Sequence, residues 1–374
     1  MAQPADRTMI ARRTVLRGGL VAGAALMLAT PGWAQDRCFY GMDLIGDYGE
    51  PERFVTIGEA DGALFAIGMG LDGMLTPAEP GVWRAVDGRR LYFSEGGQSV
   101  VINGLLNPRR DFGAEAQARI RAAVRADPAA LRQRALAATP PAPQPGARAA
   151  DLVALTGAGL RLDIRYATAD NFMGLPVYDR PGAFLQRPAA EALGRVLAAL
   201  RAQGFGLVIY DAYRPWYATW MFWEATPPES REFVADPAQG SRHNRGCAVD
   251  LGLTELATGR IVPMPSRYDE FSHRAAADFR GGTTEARANR DLLRRAMEAE
   301  GFAVIPEEWW HFDHATWRDY PVGTATFAEL GGRAGARPTR RSPPGFSPAG
   351  QIGQHRLGQH LRQHLGFITA RRIP

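Results

Sequence analysis

The chain contains no lysine, only two cysteines and no apolar run as long as a transmembrane helix. All 44 basic residues are arginine, which we interpret as a coding bias without mechanistic meaning. Two cysteines, Cys38 and Cys247, are too few for a disulfide framework or a cysteine-rich zinc site. The longest apolar run, roughly residues 20–29, is short for a membrane span of ~20 residues. The sequence therefore argues against a disulfide-stabilised scaffold and against a stable membrane span.

The N-terminus reads as a twin-arginine signal peptide, residues 1–34. Arg12 and Arg13 precede the apolar run, and small side chains before the end of the segment are typical of a cleavage site. We therefore expect a periplasmic mature protein, with an uncleaved membrane anchor as the alternative. Export to an oxidising compartment would permit a Cys38–Cys247 disulfide, although a buried, inert Cys247 thiol is the simpler interpretation.

Charge is distributed unevenly along the chain. The C-terminal stretch 331–374 holds eight arginines and no acid, and residues 1–34 hold four arginines and one aspartate. Because the whole chain carries +5, residues 35–330 carry a net charge of −6. A mildly acidic body lacks the basic face that nucleic-acid binding requires, so that class of function is excluded. The composition of 331–374 predicts a disordered, Arg-rich tail.

Turn signals and apolar runs divide the remaining chain into three parts. Residues 36–113 alternate short apolar runs with Asp-Gly and Gly-Gly turns, which predicts a small all-β domain, either a meander or a barrel. Residues 114–149 predict a helix interrupted near Asp127 and Pro128, followed by a proline-rich linker. Residues 150–330 form the third part, which carries the chemistry.

The third part mixes helix and strand patterns without regular alternation. Apolar residues at helical spacing predict two amphipathic helices, and short runs of apolar residues predict buried strands. Because helices and strands do not alternate as βαβ units, the α+β class is favoured over a doubly wound sheet. The predicted elements are helices over 188–203 and 285–300 and strands over 206–210, 248–253, 302–305 and 310–312.

Two short motifs together predict a catalytic zinc site. Residues 241–250 (SRHNRGCAVD) offer His243 and Asp250, and residues 308–311 (EWWH) offer His311. A catalytic zinc site takes three protein ligands of these types and keeps one position open beside a general base. A lone histidine is usually a satisfied core or surface residue. Two histidines, an aspartate and a spare glutamate in such tight motifs instead point to one Zn²⁺ per chain.

Glu308 is the candidate general base, acting on water and then on the leaving amine. A helix would place Glu308 and His311 on one face, whereas a straight strand would point them to opposite faces. The aromatic residues favour a strand from about Trp309, so we expect Glu308 on the loop that enters this strand. Glu307 is the competing carboxylate. His314 is an alternative ligand, although an outer or surface position is the simpler interpretation for it.

Arg214 follows a predicted buried strand in the motif DAYRP, residues 211–215. The end of a buried strand is a common place for functional side chains. The permanent charge and planar donors of arginine suit the stabilisation of an oxyanion. The alternative is a structural arginine paired with Asp211, and local sequence leaves both interpretations open.

In order along the chain, DAYRP, SxHxxGxAxD and EWWH resemble the motifs of the D-alanyl-D-alanine dipeptidases of the vancomycin-resistance type, within the zinc D-Ala-D-Ala peptidase family. The resemblance covers about residues 151–325. It implies a site in which each matching residue has the family's role. Those residues are the zinc ligands His243, Asp250 and His311, the catalytic base Glu308, the transition-state arginine Arg214, Asp269 as partner of the substrate's free α-amine, and Ser241 and Tyr166 near the substrate.

The resemblance also implies a compact α+β domain whose antiparallel sheet surrounds the zinc. The implied substrate is a small D-amino-acid dipeptide, hydrolysed to two D-Ala in cell-wall peptide turnover; no protein partner is indicated. One alternative is a D,D- or L,D-carboxypeptidase acting on peptidoglycan peptides. Another is a non-catalytic, zinc-stabilised wall-binding module. The free amine discriminates between the two enzymes, because a dipeptidase needs an ammonium partner for Asp269.

Overall fold

The structure, a computed structural model, describes residues 41–335, with side-chain surroundings up to residue 331. The predicted signal peptide, Cys38 and the predicted tail beyond residue 335 lie outside the described residues. Within the described range, eight strands form a closed barrel, two helices follow it, and a five-stranded sheet with flanking helices forms most of the remainder. No helix in this range is long and apolar enough to cross a membrane.

An antiparallel barrel forms the N-terminal part of the described chain, which confirms the predicted small all-β domain. Its strands are β1 (Gly46–Glu50), β2 (Arg53–Ala60), β3 (Ala63–Gly68), β4 (Leu71–Glu79), β5 (Val82–Ala85), β6 (Arg90–Phe93), β7 (Ser99–Ile102) and β8 (Leu105–Arg110). Each strand pairs with the next, and β1 pairs with β8 to close the barrel. The two-residue turn Asp61-Gly62 joins β2 to β3 with positive φ at both positions, as a type I′ hairpin requires.

Two helices follow the barrel, α1 (Phe112–Val124) and α2 (Pro128–Ala137). The predicted interruption between them is confirmed. Asp127 caps α2, because its carboxylate accepts the Ala130 N–H at 2.9 Å. Pro128 occupies the first turn, where its missing N–H has no intrahelical partner to lose.

The second half of the described chain, here called the sheet domain (residues 150–335), contains the predicted α+β elements. Its elements are β9 (Leu152–Ala154), β10 (Leu160–Leu162), β11 (Phe184–Gln186), α3 (Arg187–Arg201), β12 (Phe205–Asp211), α4 (Trp216–Ala225), β13 (Ala248–Glu255), α5 (Thr284–Glu298), β14 (Phe302–Ile305), β15 (Glu308–His314) and α6 (Phe327–Gly335). Helices α3 and α5 correspond to the two predicted amphipathic helices. Helix α6 crosses residue 331, where the tail was predicted to begin.

The main sheet has the strand order β10-β12-β13-β15-β14, and β9 pairs with β11 in a separate two-stranded sheet. Neighbours are antiparallel except at one edge, where β10 and β12 run parallel. The strands that carry the metal cluster are antiparallel as expected, and the parallel pair lies at the edge of the sheet. The connection from β10 to β12 contains β11 and α3, and parallel pairing requires a long crossover of this kind.

Three polar residues occupy one row across the centre of the main sheet. Asp211 on β12 pairs with Asp250 on β13, and Asp250 pairs with His311 on β15. Directly paired residues project from the same face of a sheet, so the row brings these side chains together. The pairing of β12 with β13 shifts register between Ile209 and Asp211, and such irregularities are frequent next to active sites.

Candidate active site

Three buried side chains converge at the centre of the row. Asp250 and His311 come from β13 and β15, and His243 comes from the loop before β13. His243 Nε2 lies 3.0 Å from His311 Nδ1 and 3.2 Å from Asp250 Oδ1, and the third side of this triangle is 3.1 Å. Ligand atoms ~2.0–2.1 Å from a tetrahedral zinc ion are separated by about 3.3 Å. The geometry and the donor types therefore fit a metal ion of this kind.

The two imidazole rings are oriented by acceptors on their far sides. His243 Nδ1 lies 2.6 Å from the Ala212 carbonyl oxygen, which can only accept, so Nδ1 carries the proton. His311 Nε2 lies 2.9 Å from Asp313 Oδ1. In a neutral ring, each contact places the proton on the outward-facing nitrogen and leaves the inward-facing nitrogen to bind a metal ion, which is how ligand histidines are held in metal sites.

The electrostatics of the cluster favour a cation at its centre. Tyr268 donates to Asp250 Oδ2 at 3.1 Å, which leaves Oδ1 facing the histidines. Burial acts to raise the pKa of Asp250, but His243 and His311 hold that pKa well below its usual range. Burial acts to lower the pKa of His311, but hydrogen bonds to Asp250 and Asp313 raise it to about 10. Positive charge is thus stabilised between these residues.

Glu308 reaches the cluster from the first position of β15, one residue earlier than the strand was predicted to begin. Its Oε2 lies 3.7 Å from His311 Nδ1. An irregular pairing with β14 at this point removes the strict alternation that would otherwise separate Glu308 from His311. Burial raises the pKa of Glu308 to about 7, with His311 acting in the opposite direction. The neighbouring Glu307 is exposed.

Arg214 is buried and paired with Asp211. Its Nε and Nη2 lie 2.9 and 2.8 Å from Asp211 Oδ2, and Nη2 lies 3.8 Å from Asp250 Oδ2. The guanidinium also sits over the rings of Phe222 and Tyr166, at 4.8 and 5.4 Å from their centroids. The structural pairing that the sequence offered as an alternative is therefore present. The same side chain also lines the cavity beside the cluster.

Asp269 has a left-handed backbone conformation and a carboxylate oxygen that accepts no hydrogen bond from the described residues. It is a non-glycine residue with φ of 64°, in the left-handed region. Tyr166 donates to its Oδ1 at 3.0 Å, whereas Oδ2 is buried without a hydrogen-bond partner among the described residues. Burial raises the pKa of Asp269 well above its usual value. Nearby, the Ser241 hydroxyl accepts the His243 N–H at 3.2 Å.

All eight predicted site residues line one cavity of about 660 Å³. His314, the alternative ligand, lies apart from the cluster and has its Nδ1 2.9 Å from Thr316 Oγ1. Cys247 is a buried free thiol whose pKa burial raises to about 12. Its alternative disulfide partner, Cys38, lies outside the described residues.

Several supporting residues were not predicted. Asp313 stands two residues after His311 in a strand, and that spacing, which places both on one face, was an available signal. Tyr268 immediately precedes Asp269, but nothing in the sequence indicates that its hydroxyl contacts Asp250. The Ala212 carbonyl belongs to the backbone, so its role could be found only from the fold.

Comparison with known proteins gives a consistent assignment. The peptidase M15 family model, described as D-Ala-D-Ala dipeptidase, matches residues 148–321. The D-alanyl-D-alanine dipeptidase of Escherichia coli K12 is 37% identical over 163 residues, which cover 44% of this chain and 83% of that protein. The chain belongs to the D-Ala-D-Ala dipeptidase family. It is therefore a peptidase by descent, as the motifs predicted.

Other similar proteins also cover less than half of this chain. The D-alanyl-D-alanine dipeptidase of Enterococcus faecium is 35% identical over 190 residues, covering 45% of this chain and 91% of that relative. A solved structure of the vancomycin-resistance D,D-dipeptidase VanXYg matches 39% of this chain and 54% of its own, at 21% identity. Its TM-score of 0.22 is too low to support an argument. The barrel and α1 precede the family-matched segment.

Proposed function

We propose that the chain is a zinc-dependent dipeptidase that hydrolyses D-Ala-D-Ala to two D-Ala in cell-wall peptide turnover, after twin-arginine export to the periplasm. Family membership supports dipeptide hydrolysis, and the His243, Asp250 and His311 cluster supports a metal-dependent mechanism. The motif of residues 1–34 supports export. Peptides that end in D-Ala occur in the wall, which is why this compartment fits the substrate.

The observation that carries the dipeptide assignment is the unmet carboxylate oxygen of Asp269. Burying a charge is costly unless a partner of opposite charge is present. Asp269 Oδ2 is buried without a hydrogen-bond partner in residues 41–331, and Asp269 lines the same cavity as the metal cluster. The free ammonium of a dipeptide supplies that partner, and an acylated peptide nitrogen does not. A substrate with its N-terminus at Asp269 therefore presents its single peptide bond to the cluster.

The roles of the protein groups follow from their positions. A bound zinc ion supplies Lewis-acid polarisation of the peptide carbonyl and of water. Arg214 holds the negative charge that develops on the carbonyl oxygen. Glu308 accepts a proton from the attacking water at Oε2 as the new C–O bond forms and the carbonyl oxygen gains negative charge. It then delivers this proton to the nitrogen as the C–N bond breaks and the carbonyl forms again. Burial raises the pKa of Glu308 above that of an ordinary glutamate, which favours return of the proton to the departing nitrogen.

The first test is D-Ala release by the purified chain from D-Ala-D-Ala and from N-acetyl-D-Ala-D-Ala. We expect zinc-dependent release from the free dipeptide alone, lost on chelation and restored when zinc is returned. The Asp269→Asn variant should raise KM for the dipeptide, because the ammonium then loses its charged partner. A charged hydrogen bond contributes about 1.5–3 kcal/mol, so the expected increase is about 10- to 100-fold. Unchanged KM in this variant contradicts the amine assignment.

A carboxypeptidase acting on longer wall peptides is the second candidate. The size of the cavity favours it, because about 660 Å³ lies within the range of sites for ligands larger than a dipeptide. Release of D-Ala from the acylated substrate at a comparable rate establishes this alternative. No release from either substrate, together with unfolding on chelation, establishes a zinc-stabilised binding module.

A further inference from the structure

The loop that carries Asp269 is held by a helix from outside the family-matched segment. This amine-binding loop, residues 266–270, lies within the match that begins at residue 148, whereas α1 ends at Val124. The Gln117 side chain on α1 donates through Nε2 to the Asp269 carbonyl oxygen at 2.6 Å. The contact joins residues that are 152 positions apart.

Two further contacts dock the start of α1 against the same loop. Arg267 makes a two-oxygen ion pair with Asp111, the residue that caps α1, at 2.7 and 2.9 Å. Gly113 lies so close to Glu270 that an added Cβ would stand 2.4 Å from Glu270 Cγ. The helix therefore approaches the loop at a fixed distance, and Gln117 lies one turn further along its axis.

Helix α1 also contacts the segment that leads to Tyr166, whose hydroxyl donates to the Asp269 carboxylate. Arg121 donates to the Asn171 carbonyl oxygen at 2.8 Å and to Gln117 Oε1 at 3.2 Å. The Asn171 side chain in turn donates to the Arg165 carbonyl, immediately before Tyr166. One turn of α1 thus contacts both segments that meet in the Tyr166–Asp269 hydrogen bond.

Asp269 of the amine-binding loop lies between two cavities. A second cavity of about 480 Å³ lies on the far side of it, lined by Gln117, Arg121, Tyr268 and Asp269. Asp269 borders both cavities and holds a left-handed backbone, a conformation that is uncommon for residues other than glycine. Among the described residues, the hydrogen bond from Gln117 is the one that the Asp269 carbonyl oxygen accepts, so it is the contact that holds this carbonyl.

We propose that Gln117 is a positioning residue for the amine subsite. By holding the Asp269 carbonyl it maintains the backbone conformation that directs the carboxylate into the catalytic cavity. Gln117 contacts neither the metal cluster nor the cavity beside it. The inference rests on the proposed dipeptidase function. It assigns a part in substrate recognition to α1, which precedes the family-matched segment.

The test compares steady-state kinetics of Gln117→Met and Gln117→Leu with the wild type on D-Ala-D-Ala. Both substitutions remove the Nε2 donor and keep an aliphatic side chain of comparable size. Kinetics of either variant, if it folds, are enough for the test. One neutral hydrogen bond corresponds to about a three- to tenfold change in binding. We expect KM to rise by that factor with kcat within about twofold. Gln133→Met, at an exposed position of α2, is the matched control and should leave both constants unchanged.

A double-mutant cycle separates positioning from a loss of stability. In an Asp269→Asn background the amine contact is already weakened, so Gln117→Met should change kcat/KM by less than about twofold. Equal losses in both backgrounds, or a fall in kcat with KM unchanged, overturn the inference. Unchanged KM in a folded variant of an active enzyme also overturns it. If the wild type itself releases no D-Ala, the proposed function fails, and this outcome is distinct from failure of the Gln117 role.

Discussion

Three carboxylates lining one cavity differ in the protonation state that their surroundings favour. The pKa of Asp250 is held low by two histidines, that of Glu308 is about 7, and burial raises that of Asp269 well above the ordinary value. When surroundings give similar carboxyl groups different pKa values, one group stays ionised while another can exchange a proton or needs a cationic partner. At the residue scale, function is divided by local burial and charge, since the chemical group is the same in all three.

Glu308→Gln tests this division. The substitution keeps the shape of the side chain but removes its capacity to accept and return a proton. We expect kcat to fall by about 10²–10⁴ with the zinc content of the purified chain unchanged. Turnover of the dipeptide and metal analysis of the same sample measure both quantities. Glu307→Gln is the matched control, and an equal loss in that variant would transfer the role to the neighbouring residue.

Two local motifs carry the residues of the predicted metal cluster and the fold brings those residues together, whereas the side chains that support them were not predictable. His243 and Asp250 lie seven positions apart in one motif, and Glu308 and His311 lie in the other. The fold adds what motif spacing cannot supply, such as the carbonyl beside His243 Nδ1. The pairing of Arg214 with Asp211 was anticipated only as one of two interpretations, and the structure contains that pairing within the site.

At the scale of elements, amphipathic helices and short apolar strands were predictable from the sequence, whereas a uniformly apolar helix was not. Helices α3 and α5 have clear apolar stripes, so their positions followed from the sequence. Helix α4 is buried around most of its circumference, and its aromatic composition gives no helical periodicity to detect. The three-residue strands β9 and β11 are too short for any repeating pattern.

Helix α2 provides a test of capping at a position that the sequence identified. Asp127→Ala removes the acceptor for the Ala130 N–H and should lower the free energy of unfolding by about 1 kcal/mol. Asp127→Asn retains a capping side chain and should remain near the wild type. Urea denaturation of the three proteins measures the difference. Equal stability of the alanine and asparagine variants would mean that the cap contributes nothing.

At the scale of the molecule, the barrel and the sheet domain are joined by buried polar contacts. Glu59 on β2 accepts the Thr284 N–H at 2.8 Å, and its backbone N–H donates to the Gly282 carbonyl at 2.9 Å. Arg287 donates to the Glu59 carbonyl at 2.8 Å. None of these pairings was predicted, because they join residues more than 200 positions apart and depend on how two units dock.

These contacts predict that the barrel and the sheet domain unfold together. Far-UV circular dichroism and tryptophan fluorescence should give coincident thermal transitions for the wild type. Glu59→Ala leaves the partly buried Thr284 N–H without its acceptor and should lower stability by about 1 kcal/mol. Glu95→Ala, at an exposed barrel position, is the control. Two separate wild-type transitions would show that the units are independent.

The row formed by Asp211, Asp250 and His311 also limits how the length of this chain can change during evolution. Successive residues of a strand face opposite sides, so a single-residue deletion inside β13 before Asp250 would turn its carboxylate away from both histidines. Insertions in the irregular stretch between β13 and α5 leave the row in register. Length variation among functional descendants is therefore expected in such connections. A single insertion or deletion inside a strand would instead inactivate the protein.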